Sequence, residues 1–179
     1  MTMRWENCKI RHQHPDDIDR EFTSGDYDLD DFWKNNSLNY SDQRLSTSYI
    51  VESYSEMVAY YAIANDRISI EDFTSKSSFN RFRKKITNLK KLRGYPAVKL
   101  CRLAVKETLK GQGIGSDIIK YLKYSLYMRA GAACRFLIVD AYRKSVNFYL
   151  KNGFHLINKE IDPNRHTVAM YFDLKDLDI

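Results

Sequence analysis

The stretch that most restricts what this chain can fold into is Leu103-Ala104-Val105 followed, after a short polar break, by Gly111-Gln112-Gly113-Ile114-Gly115-Ser116. An apolar strand runs into a glycine-rich turn, and the turn opens directly into a helix. Glycine has no side chain to hold a ligand away, so such a turn brings backbone N–H groups close to a phosphate. The positive end of the following helix then favours the anion. The pattern points to a phosphate-bearing ligand.

Two common phosphate-binding devices do not fit. A Walker loop needs Gly-x-x-x-x-Gly-Lys-Ser/Thr, and no such string is present. A dinucleotide fingerprint needs G-x-G-x-x-G in a first βα unit, with an acidic residue about 20 positions on. Here the spacing is G-x-G-x-G in mid-chain, and Lys120 to Ala141 offers only Asp140.

The rest of the chain reads as one α/β domain of 179 residues, with a polar, basic insertion over about 69–94. Short strands are predicted over Lys9–His12, Thr47–Ser53 and Met57–Asn65, the last two joined by the polar turn Tyr54-Ser55-Glu56. Helices are predicted after Pro15, around Leu29, Phe32, Trp33 and Leu38, and over Ser78–Leu89. Tyr95–Val105 reads as a long strand with Val98, Leu100 and Ala104 on one face. Ile114–Arg129 is the clearest helix, because Ile114, Ile118, Ile119, Leu122 and Leu126 form one apolar stripe. Arg135–Val139 (strand), Lys144–Lys151 (helix capped by Asn152-Gly153), Phe154–Ile157 and Thr167–Leu174 (strands) complete a mixed sheet with helices on both faces.

The arrangement resembles the GNAT superfamily of acetyl-CoA-dependent N-acetyltransferases. The resemblance rests on Arg102-Leu103-Ala104-Val105, on Lys110-Gly111-Gln112-Gly113-Ile114-Gly115, and on Asn147-Phe148-Tyr149-Leu150-Lys151-Asn152-Gly153-Phe154. The family's loop is usually Arg/Gln-x-x-Gly-x-Gly/Ala, and Lys110 here keeps a cation near the phosphates. The family's last helix usually ends in Tyr-x-x-x-Gly-Phe, which Tyr149, Gly153 and Phe154 meet in full. Tyr142 stands where many members carry Asn. Phe22-Thr23-Ser24-Gly25-Asp26 with Leu29 to Phe32 is similar to the opening of one branch, which includes toxins that acetylate the amino group of aminoacyl-tRNA.

The resemblance implies a mostly antiparallel sheet of six to seven strands and acetyl-CoA as acetyl donor. It implies that Leu103, Ala104 and Val105 offer backbone groups to the pantetheine arm. The Val105 N–H would polarise the thioester carbonyl. The N–H groups of Gln112, Gly113, Ile114, Gly115 and Ser116, with Lys110 and Gly111 beside them, would hold the pyrophosphate. Tyr149 would protonate the leaving thiolate, and Asn147 would position the pantetheine. The general base is not legible; His12, Asp26 and Glu107 are the candidates.

Three readings of function stay open here: an N-acetyltransferase for a primary amine, a toxin aimed at aminoacyl-tRNA with an antitoxin as partner, and a non-catalytic module that binds CoA or RNA. The net charge of +6 suits an anionic ligand without identifying it. Arg81 to Arg93 holds 7 basic residues in 13, read either as a solvated face or as a tRNA contact. Phe79 and Phe82 read as anchors of that segment to the core. Cys8, Cys101 and Cys134 have no paired spacing, and Cys101 and Cys134 read as packing residues, which fits a cytoplasmic protein. No metal site is expected, and no apolar run is long enough to span a membrane. The row Tyr121, Tyr124, Tyr127 reads as packing or surface, with a homodimer interface as the alternative.

Overall fold

The structure is a computed structural model of the 179-residue chain, and residues 5–19, 21–86, 92–128 and 132–178 are described. The sequence-based readings that fall on 87–91 (the end of the Ser78–Leu89 helix, Lys90, Lys91) and on Arg129 lie outside these residues. Seven strands form one sheet in the order β1-β2-β3-β4-β5-β7-β6. They are β1 (Cys8–His12), β2 (Thr47–Ser53), β3 (Glu56–Ser69), β4 (Gly94–Val105), β5 (Phe136–Tyr142), β6 (His155–Leu156) and β7 (Thr167–Asp173). Pairing is antiparallel between β1 and β2, β2 and β3, β5 and β7, and β6 and β7, and parallel between β4 and β5. This is the α/β architecture expected. The chain divides into two compact units, 1–64 with 100–122 and 65–99 with 123–179.

In the first unit the β2–β3 hairpin turns at Tyr54 and Ser55, both left-handed at φ 49° and 66°, the two-residue turn whose twist suits paired strands. Met57 to Ala62 are all buried. Met57, Tyr60 and Ala62 pack in a cluster with Phe22, Phe32, Trp33, Ile50 and Ala104, where each large side chain contributes about 1.5–3 kcal/mol. The helical hairpin arm is less regular than its spacing predicts. It runs as α1 (Tyr27–Asp31), a π-helical turn (Phe32–Asn36) and α2 (Ser37–Asp42). The wider turn shifts the inward face by a residue, so Ser37 is fully buried while Leu38 is half-buried. The Ser37 hydroxyl is satisfied by donating to the Trp33 carbonyl at 2.6 Å and accepting from Gln13 Nε2 at 2.8 Å. The helix expected after Pro15 is a single 3₁₀ turn, Pro15–Asp19, with Asp17 held by the Arg11 guanidinium through two bonds of 2.7 Å.

In the second unit, β3 continues past Asn65 because exposed Asp66 and Arg67 are carried by backbone pairing until Ile68 is buried again. Ile68 joins Phe79, Phe82, Tyr95, Ala97, Phe136, Ile138 and Tyr171 in a second core cluster. Phe79 and Phe82 therefore anchor α3 (Lys76–Arg83) as expected. Ser75 caps this helix, its Oγ accepting from the Ser78 N–H at 3.1 Å. α4 (Ile114–Met128) begins in the first unit and ends in the second. Its five stripe residues are all buried. α5 starts at Val146 instead of Lys144, because Arg143–Ser145 forms a 3₁₀ turn. The Arg143 guanidinium there donates to the carbonyls of Arg165 and Asp162. β6 is two residues long, shorter than the strand predicted over Phe154–Ile157, since Phe154 turns inward onto Phe172.

Candidate active site

The first unit carries the end of β4 and the glycine-rich loop. Ala104 is buried in the Phe22, Trp33 and Tyr60 cluster, while Leu103 and Val105 are half-buried. Two N–H groups past the strand are already engaged. Lys106 N–H donates to the Val58 carbonyl and Glu107 N–H to the Thr23 carbonyl, each at 2.9 Å. A 3₁₀ turn at Glu107–Leu109 then leads to exposed Lys110, Gly111, Gln112 and Gly113.

Gly111 and Gly113 sit at φ 78° and 89°, which a residue with a Cβ adopts at a cost. A Cβ built at either would meet nothing within 4 Å. The loop is thus an open backbone cradle at the start of a 15-residue helix. The Gly113 carbonyl accepts from the N–H groups of Ser116 at 2.9 Å and Asp117 at 3.0 Å. The donors left pointing out of the helix start are those that precede Ser116, as helix geometry requires. These residues fit a pyrophosphate group: exposed backbone donors, space where side chains would stand, and the cation Lys110 beside them.

The Phe22–Asp26 loop is tied down in the same unit. The Asp30 carboxylate accepts from the Ser24 N–H at 2.8 Å, the Ser24 hydroxyl at 2.6 Å and the Thr23 hydroxyl at 2.8 Å. Burial works against the charge of Asp30, but these hydrogen bonds outweigh it and hold its pKa below the ordinary value. Gly25 is left-handed at φ 69°, and a Cβ there would come within 2.5 Å of Glu107 Oε1. Of the three base candidates, Glu107 therefore lies against Gly25, the residue before Asp26. His12 instead lies exposed at the end of β1, its ring 4.5 Å from that of Tyr49.

The second unit carries Tyr149 on α5 (Val146–Lys151). The helix ends in a Schellman motif. The Phe154 N–H donates to the Tyr149 carbonyl at 3.0 Å and the Gly153 N–H to the Leu150 carbonyl at 2.9 Å. Gly153 takes φ 76°. The hydrophobic contact that accompanies such a cap is Tyr149 itself against Phe154, with ring centroids 5.3 Å apart. The Tyr-x-x-x-Gly-Phe string is thus a complete helix stop that fixes its own tyrosine. Tyr149 is 7% exposed, and burial pushes its phenol up to about 12. Asn147 is exposed, and Tyr142 is half-buried with the Lys144 ammonium 5.7 Å from its ring centroid.

Two residues to which the motifs give no site role bear on the site, Arg102 from the strand motif and Lys123 from no motif. Arg102 precedes the Leu103–Val105 stretch and lies 4.9 Å over the Phe32 ring, with Asp28 at 3.9 Å. Lys123 is 8% exposed on α4 and contacts the α5 cap. Its one sequence signal is the i, i+4 spacing from Ile119, which places it beside the buried stripe. Among the described residues no cluster of His, Cys, Asp and Glu could hold a metal ion. No described helix is long and apolar enough to cross a membrane.

An open sheet of this order with a glycine-rich loop at the head of its longest helix defines the GNAT acetyltransferase fold. Residues 85–169 match the family model described as an acetyltransferase (GNAT) domain. That segment, just under half of the chain, holds both the glycine-rich loop and the Tyr149 helix. No curated protein sequence matches significantly. Solved structures do: AtaT complexed with acetyl-methionyl-tRNAfMet has a TM-score of 0.71 at 23% identity, covering 94% of this chain and 95% of that one. AtaTR bound with AcCoA gives 0.71 at 21% identity, covering 95% of each chain. A tyrosine-to-phenylalanine mutant of KacT gives 0.68 at 22% identity, covering 94% and 96%. At these identities the likeness is one of fold.

Proposed function

We propose that the protein transfers the acetyl group of acetyl-CoA to a primary amine by direct attack, working as one acetyltransferase domain over its whole length. The observation that carries this reading is the open backbone cradle at Gly111 and Gly113, at the head of α4. The cradle and Lys110 bind the pyrophosphate, with Asn147 and the backbone of Leu103 to Val105 aligning the pantetheine. The Val105 N–H stabilises the charge that develops on the carbonyl oxygen. The neutral amine attacks to form the C–N bond, the C–S bond breaks as Tyr149 gives its proton to the departing sulfur, and the surplus proton on nitrogen returns to the phenolate oxygen directly or through water. Burial raises this phenol's pKa to about 12, so it stays protonated throughout the neutral range, and its transfer to sulfur has to be coupled to C–S cleavage and to loss of the proton from nitrogen.

One observation favours a narrower acceptor. A neighbour sharing the fold over 94% of this chain is complexed with acetyl-methionyl-tRNAfMet, and another is a toxin bound to the C-terminus of its antitoxin. The amino group of an aminoacyl-tRNA is therefore the acceptor we place first, with an antitoxin as the matching partner. The test is thiol release from acetyl-CoA against small amines, peptides and charged tRNAs, with Tyr149→Phe alongside. Release with charged tRNA alone, reduced about 100-fold or more in Tyr149→Phe, is the expected result. Release with a small amine or peptide only would replace tRNA as the acceptor. No release with any amine, despite acetyl-CoA binding, would favour a non-catalytic module.

A further inference from the structure

The second unit buries a lysine with no anionic partner among the described contacts. Lys123 Nζ donates to the carbonyl oxygen of Asn152 at 2.5 Å. It also lies 3.5 Å from the ring centroid of Phe172 and 5.3 Å from that of Phe154. Burying an ammonium is costly unless it is well bonded, and desolvation lowers the pKa of Lys123 to about 8. A methionine or leucine at this place on the apolar stripe would avoid that cost.

The location explains what the ammonium does. Asn152 is the C-cap of α5, and its carbonyl is among the last groups of the helix without an intrahelical acceptor role to fill. Its N–H is bonded back to Phe148 and Tyr149, and its side chain donates to the Phe148 carbonyl at 2.9 Å. Lys123 supplies the bond from outside the helix. Through Phe154 and Phe172 it also clasps the residue that closes the Schellman motif against Tyr149. Gly153 is required by its left-handed φ of 76°, while a Cβ there would make only an ordinary 3.6 Å contact with Nζ.

We propose that Lys123 is a positioning residue for Tyr149: its ammonium, bonded to the Asn152 carbonyl and seated on Phe172, locks the α5 cap so that the phenol is held in one orientation. This rests on the reading of Tyr149 as the general acid. It assigns Lys123 no contact with substrate and no proton transfer.

The test compares Lys123→Met, which keeps length and removes the donor, with Lys123→Arg, which keeps donor and charge. Three readouts are taken on the full chain: amide hydrogen exchange at Gly153 and Phe154, melting temperature, and thiol release with acetyl-CoA and the amine found above. In Lys123→Met we expect faster exchange at both amides and an unchanged or higher melting temperature. We expect kcat to fall roughly 10-fold or more, with the acetyl-CoA KM within about twofold. Lys123→Arg should restore exchange protection and most of kcat. Protected amides with full kcat in Lys123→Met would overturn the proposal. So would a loss of kcat that tracks a loss of melting temperature, since that marks a plain packing role. If Tyr149→Phe keeps full turnover, the acid reading fails instead, while the exchange data still decide whether Lys123 locks the cap.

Discussion

Tyr149 is one of 13 tyrosines in the chain, and its surroundings set it apart. Tyr121, Tyr124 and Tyr127 on α4 are 38%, 52% and 47% exposed, whereas Tyr149 lies between Phe148 and Phe154 with burial raising its pKa to about 12. Because the folded-state value lies above the ordinary value of 10.0, the neutral phenol is favoured. Its contribution to stability is complete below pH 10 and is lost as pH rises toward 12. The consequence for turnover has the same sign. Thiol release should rise with pH as the acceptor amine loses its proton, with no falling limb below about pH 10. A falling limb near neutrality in a kcat profile would move the acid role to another group. The motif marks residue 149 as tyrosine, but the shift comes from rings gathered around it. Lys123 shows the same dependence more strongly. Alone it reads as an ordinary helix lysine, and only contacts to Asn152, Phe154 and Phe172 give it a role.

Elements differ in how far short-range chemistry decides them. The glycine loop and the α5 stop were readable because each is built from backbone geometry within a few residues. Gly111, Gly113 and Gly153 take the left-handed φ that the sequence suggests. The α4 stripe was readable for the same reason, helical periodicity. The arm at 27–42 was not, since a π-helical turn at Phe32–Asn36 breaks the 3.6-residue period and buries Ser37. The far end of β3 beyond Asn65 was also missed, because exposed Asp66 and Arg67 look like loop yet continue the strand to buried Ile68 and Ser69. A prediction at this scale concerns the cradle. Acetyl-CoA at about 100 times its dissociation constant should stabilise the wild type by about 2.7 kcal/mol. Gly113→Val should lose that gain, both from a strained φ and from a side chain placed where the cradle is open. Differential scanning fluorimetry with and without ligand measures it, and an undiminished shift in the variant would place the cofactor elsewhere.

At the scale of the molecule, the five described cations Arg81, Arg83, Lys84, Lys85 and Arg93 belong to the same compact unit as Tyr149. If they contact phosphates of a tRNA acceptor, affinity should fall about 100-fold between roughly 50 and 200 mM salt. Acetylation of a small amine should be nearly flat over that range, and a flat response with charged tRNA would return the segment to a solvated face. The match to the acetyltransferase domain at 85–169 spans both half-motifs. That is the part a reader of the sequence reaches, because a helix N-terminus that binds an anion and a helix C-terminus that stops on glycine are local events. The tertiary structure alone decided the two buried clusters and the pinning of the Phe22–Asp26 loop by Asp30. It also decided the seating of Lys123 under the α5 cap. The physical reason is range: a hydrogen bond from residue 123 to residue 152, or a ring packed from residue 172 onto 154, exists only once the chain has folded back on itself.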